Sequence, residues 1–215
     1  MTLPEIYERV SALPLGGYIT IDNRMDKGFM YSLIHSARAI VVGQRYVEEG
    51  IVPSVYFQAF KPDYIEAAQT STSYARYSGF PAVISIGSKR DGMGYVGSVC
   101  LNVPFRQVQD RATFASMQQD RVMKAGRKAY VLVGNGYLEV YYKNKIKEVL
   151  IEGVFMDPTK VPNYNIEKDD YPMDIGDIGR MEMVLMQGDL NMIAKSVTDR
   201  VKNDRDDAVQ PYPRN

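Results

Sequence analysis

The chain has no tryptophan, one histidine (His35) and one cysteine (Cys100). A lone cysteine makes no internal disulfide, and with a single histidine it builds no zinc site of the multi-cysteine kind. That usage suits a reducing compartment. His35 and Ser36 are neighbours on a predicted helix and project about 100° apart, so the serine is badly placed for activation by the imidazole; His35 reads as a packing or surface residue. Cys100 falls in the apolar run Val99-Cys100-Leu101, where a free cysteine behaves as a small hydrophobe. With no catalytic constellation in view, the chain reads as neither an enzyme nor a holder of cofactor or metal. Charge of either sign is also not in surplus: 26 Lys plus Arg balance 26 Asp plus Glu. A dedicated DNA-binding protein usually carries a basic excess, because neutralising phosphates supplies most of its affinity. No apolar stretch approaches the roughly 18 residues of a membrane span. The start, Met1-Thr2-Leu3-Pro4-Glu5, is no secretory signal.

What the chain does have is 16 tyrosines and 12 methionines in 215 residues. These amphipathic or adaptable side chains are enriched where protein surfaces meet. A hydrophobic fraction of 45% against 24% charged residues predicts a folded chain. Its length suits one domain with a sizeable core.

The pattern predicts an α+β fold, with N-terminal helices and a C-terminal helix around an antiparallel β-rich middle. The expected organisation is one domain over 1–202 (a helical region over 1–50, a β-rich region over 51–160, a C-terminal helix over 175–202) and an extended tail over 203–215. Thr2 and Glu5 have capping-box spacing at the head of a helix from Thr2 to Leu13, with Pro4 in its first turn. A long helix follows, capped by Asp22 or Asn23 and closed by Gly50. Its predicted apolar face is Met25, Phe29, Leu33, Ala37, Ile40, Val41 and Val47, together with Gln44. Val52 to Phe60 reads as a strand that Pro53 confines to a strand start or an edge, and Tyr64 to Gly79 as a polar loop. Pro81 to Gly87 and Tyr95 to Val103 read as a hairpin, and Phe105 to Lys124 as a helix. Around Gly134-Asn135-Gly136 the pattern predicts a second hairpin. A third strand, Lys147 to Phe155, extends it into a meander. The last helix runs from Ile175 to about Val201, with Ile178, Met181, Leu185, Leu190, Ile193 and Val197 as its stripe.

Several tempting motifs dissolve on inspection. The glycine-rich stretch from Gly87 to Gly97 contains Lys89 and Arg90 but lacks the Gly-Lys-Ser/Thr ending of a phosphate loop, and strands flank it. Glu167, Asp169, Asp170, Asp174 and Asp177 lack the ligand order of a calcium loop and read as a solvated linker. Two basic groupings stand out as channel-facing or partner-facing candidates: Lys143, Lys145 and Lys147 at strand period, and Arg121 and Lys124 about a helical turn apart.

Three stretches carry a resemblance. The first is the hairpin Tyr130-Val131-Leu132-Val133-Gly134-Asn135-Gly136-Tyr137-Leu138-Glu139-Val140-Tyr141. The second is Val149-Leu150-Ile151-Glu152-Gly153-Val154-Phe155-Met156-Asp157-Pro158, ending in a Phe-x-Asp-Pro turn. The third is Tyr171-Pro172-Met173-Asp174, leading into the closing helix that ends in Thr198-Asp199-Arg200-Val201. In this order the chain resembles the head–tail adaptor and ring proteins of podovirus-type, crAss-like bacteriophages. The resemblance implies a virion structural protein of the neck or tail, made in the host cytoplasm and without chemistry of its own. It also implies a homo-oligomeric ring, commonly a dodecamer, that docks on the portal or another ring. DNA would pass non-specifically through the lumen, with no membrane involved. A ring of heterologous contacts needs two different complementary faces on each subunit. Tyr64, Tyr74, Tyr77 and Phe80 are the predicted inter-subunit anchors. The rival readings are a small cytoplasmic enzyme and a nucleic-acid-binding accessory protein that uses the Lys143 hairpin and the Arg121 helix.

Overall fold

In the computed structural model the described residues are 1–13, 26–65, 74–79, 81–86, 90–100, 104–108, 112–113, 130–134, 137–141 and 148–188. Their helices and small sheets make the α+β class expected from the sequence. Where one domain over 1–202 is the expectation, the contacts group the chain into two compact units, 1–41 with 166–215, and 42–165.

In the first unit, α1 spans Leu3–Ala12. The Thr2 N–H donates to Glu5 Oε2 at 2.8 Å, satisfying a backbone group at the helix start. Leu3, Ile6 and Val10, spaced by three and four, are buried. Helix α2 spans Lys27–Glu49 and opens on Asp26, whose Oδ2 accepts from the Phe29 N–H at 2.8 Å. The predicted caps Asp22 and Asn23 lie outside the described residues, and Asp26 does their work. Gly50 closes α2 as expected, with φ of 72° and its N–H on the Tyr46 carbonyl; that left-handed backbone suits glycine.

The predicted face of α2 is largely wrong. Met30, Ile34, Ala37, Arg38 and Val41 are the buried positions, while Phe29, Ile40 and Val47 are exposed. The helix carries two apolar stripes, and periodicity alone does not say which one meets the core. Arg38, fully buried, hid the true stripe: its Nε donates to the Pro172 carbonyl at 2.8 Å. Helix α3 spans Ile175–Gln187, with the Gly176 N–H bonded to Asp174 Oδ1 at 2.8 Å. Ile178, Met181 and Leu185 are buried as predicted. The rest of the predicted helix, with Leu190, Ile193 and Val197, and the tail over 203–215 lie outside the described residues. The Tyr171 N–H donates to the Met1 carbonyl at 2.9 Å, and Arg9 pairs with Glu182 across α1 and α3. That bond to Glu182 raises the already high pKa of Arg9.

The second unit is built from short strands. A 3-10 turn at Ser54–Tyr56 precedes β1 (Gln58–Phe60), the edge strand that Pro53 suggests. The span from Tyr64 to Gly79, expected as a loop, instead contributes paired strands: β2 (Asp63–Ile65) and β3 (Tyr74–Ser78). Strand β4 (Ser85–Ile86) pairs with β5 (Arg90–Asp91). Strand β6 (Met93–Ser98) is not the second arm of that hairpin, because its partner is a distant strand. Arg106–Val108, expected as the head of a helix, is strand β7. The predicted hairpin is present as β8 (Tyr130–Gly134) and β9 (Tyr137–Tyr141), with Gly134 opposite Tyr137.

Strand β10 (Val149–Gly153) does not continue that hairpin as a meander. It lies between β1 and β6 in a three-stranded sheet, while the five-stranded sheet runs β2-β3-β9-β8-β7. Pairing is antiparallel throughout these two sheets except between β7 and β8. Both sheets feed one apolar cluster, including Tyr77, Leu138 and Val140 from one and Phe60, Val96 and Ile151 from the other. Phe155 meets Phe60 edge-on at 5.4 Å, just before the Asp-Pro turn. There Asp157 Oδ1 accepts from the Thr159 N–H at 3.0 Å and its hydroxyl at 2.6 Å.

Candidate assembly interface

Contact residues of a subunit must be on its outside, and burial sorts the predicted anchors. Tyr77 is fully buried among the sheet residues of the second unit. It is therefore a core residue, and the expectation that it anchors a neighbouring subunit is corrected. Strand alternation explains the error: in an apparent polar loop Tyr77 looks exposed, but as a residue of β3 it pairs with Tyr64 and Leu138. Tyr64 lies on β2, the edge strand, and Tyr74 on β3 opposite Tyr141. Phe80, Arg121, Lys124, Lys143, Lys145 and Lys147 lie outside the described residues.

Polar residues that stand out in the sequence have structural work. His35 Nδ1 meets Tyr171 Oη at 2.8 Å with the rings stacked, and the Arg38 guanidinium lies 5.6 Å from the centre of the same tyrosine ring. This cluster fastens the segment around Tyr171 to α2. The acidic run is not a uniform solvated linker either. Asp177 is fully buried, Asp174 caps α3, and Asp170 pairs with the N-terminal amine. Among the described residues no group of three or more His, Cys, Asp or Glu is placed to hold a metal ion. Cys100 is exposed in the turn after β6 rather than held in an apolar strand. No helix among the described residues is long and apolar enough to cross a membrane.

What is exposed is apolar on two helices. On α2, Phe29 is 48% and Ile40 50% exposed; on α3, Ile175 is 74% and Met183 58% exposed. Such large side chains in water mark surfaces available to partners. Periodicity picks out the two α2 positions, but as core. Asp63 on β2 and Arg106 on β7, both exposed, escape sequence reasoning because one adjoins an apparent loop and the other an apparent helix.

No curated protein matches this chain. The family model of phage tail ring protein 2 matches residues 12–208, spanning both units and nearly every element described above. The chain belongs to the crAss phage tail ring protein 2 family, a structural family of the phage tail.

Proposed function

We propose that this chain closes with copies of itself into a ring in the neck or tail of the virion. That ring joins the portal to the tail and surrounds the channel through which DNA passes. The observation that carries the reading is the family match over residues 12–208. It is supported by the exposed Phe29, Ile40, Ile175 and Met183, which need partners that the isolated subunit does not provide. The balance of 26 basic and 26 acidic residues suits a channel wall that lets DNA slide, since a strongly basic lumen would retain it. The subunit's role is mechanical: it presents complementary faces and holds shape.

Cryo-electron microscopy of the native particle tests this directly. The expected result is density for this chain in a closed ring between portal and tail, with DNA or an open lumen on the axis. A ring at the distal end of the tail would overturn the portal connection. A chain that stays monomeric and apart from portal and tail proteins would overturn the ring itself.

A further inference from the structure

We infer that adjacent copies of this chain join edge to edge through the five-stranded sheet, β7 of one subunit adding to β2 of the next. The inference rests on the ring reading above and specifies how the ring is closed. A cyclic ring needs a heterologous contact, in which each subunit offers two different surfaces that fit one another. The two edges of one sheet are such a pair, because an edge strand presents unpaired N–H and C=O groups to any strand that arrives.

Topology singles out this sheet. In the three-stranded sheet, the β6 edge is occupied by the chain itself: Gly97 bridges Pro104, and the Phe105 N–H donates to the Val96 carbonyl at 2.7 Å. In the five-stranded sheet, β2 and β7 are the two outer strands, and among the described residues neither pairs on its outer side. Strand direction also fits. From β2 the order is antiparallel to β3, to β9 and to β8, then parallel to β7, so β2 and β7 run in opposite directions. Continuing the sheet from copy to copy therefore sets β7 antiparallel to the next β2, the better-bonded arrangement.

Charge then selects the pairing. Asp63 is exposed on β2 and Arg106 on β7, and neither is in an ion pair among the described residues. A register with residue 64 opposite residue 107 sets Asp63 diagonal to Arg106 on one face, within reach of an arginine side chain. Pairing β2 with a second β2, or β7 with a second β7, brings like charges together instead. The two edges thus disfavour a closed symmetric dimer and favour head-to-tail growth.

The test uses the full chain co-expressed with the tail proteins of its phage. Asp63→Lys and Arg106→Glu, each alone, should raise the concentration at which rings form by roughly tenfold or more. The double swap should restore assembly, and unchanged circular dichroism would show that the subunits still fold. As a second measurement, Tyr64→Cys with Gln107→Cys in a Cys100→Ser background, bridged by a short bismaleimide, should give a covalent ladder ending at the ring. Neither cysteine alone should give one. Wild-type rings that yield no ladder, or single charge variants that assemble like the wild type, would overturn the edge-to-edge contact and leave the ring reading standing. A wild-type chain that forms no ring under these conditions would overturn both.

Discussion

Arg76 and Glu139 face one another across β3 and β9, joined at 2.7 Å, with the carboxylate almost wholly out of water and the guanidinium about one-third exposed. Removing the cation leaves a buried charge without its counter-ion. Arg76→Met should lower subunit stability by about 2–3 kcal/mol, less than for a fully buried pair because water reaches the arginine. The urea midpoint measures it, and an unchanged midpoint would mean that Glu139 is solvated or protonated on its own. Tyr77, fully buried, belongs to the same sheet. Tyr77→Ala should cost about 3–5 kcal/mol, as for other large aromatic truncations, and the loss should appear in the isolated subunit before any assembly step. At the Asp-Pro turn, Asp157→Ala removes the acceptor of both the Thr159 N–H and its hydroxyl. A cost of about 1 kcal/mol is expected from the loss of such a cap.

Among the elements, α2 offers a clean contrast between its two apolar stripes. Ile34 is fully buried and Ile40 is 50% exposed. Ile34→Ala should cost about 2–5 kcal/mol in thermal unfolding of the subunit, whereas Ile40→Ala should stay within about 0.5 kcal/mol. Equal effects would show that the stripes had been assigned the wrong way round. At the end of the same helix, a Cβ on Gly50 meets nothing within 4 Å, so crowding is not the issue. Its φ of 72° is. Gly50→Ala should therefore cost about 1 kcal/mol through the backbone alone. The cap at Thr2 and Glu5, the β8–β9 hairpin and the Asp157 turn were all legible in the sequence because each is made by residues a few positions apart. The phase of α2 was not, since Arg38 enters the core only by finding the Pro172 carbonyl, far along the chain.

For the molecule as a whole, assembly decides function, and the family match makes the subunit a member of a tail ring. Edge contacts that depend on Asp63 and Arg106 are exposed to solvent, so salt screens them: at 1 M the Debye length falls to about 3 Å. Rings should accordingly form less readily in high salt than at physiological ionic strength, by mass photometry across a salt series. Insensitivity to salt would point to contacts that are apolar throughout, such as those available to Phe29, Ile40, Ile175 and Met183.

The sequence alone determined the fold class, the start of the first helix, the stop at Gly50, the central hairpin and the kinship with ring proteins. The local features among these rest on short-range energetics: caps, turn residues and the alternation of apolar side chains. Only the tertiary structure decided that β10 leaves β9 to lie between β1 and β6, that Arg106 begins a strand, and that Tyr77 turns inward. Each of those outcomes is set by pairing between segments distant in the chain, where a strand's partner and the face it buries depend on what else the fold brings beside it.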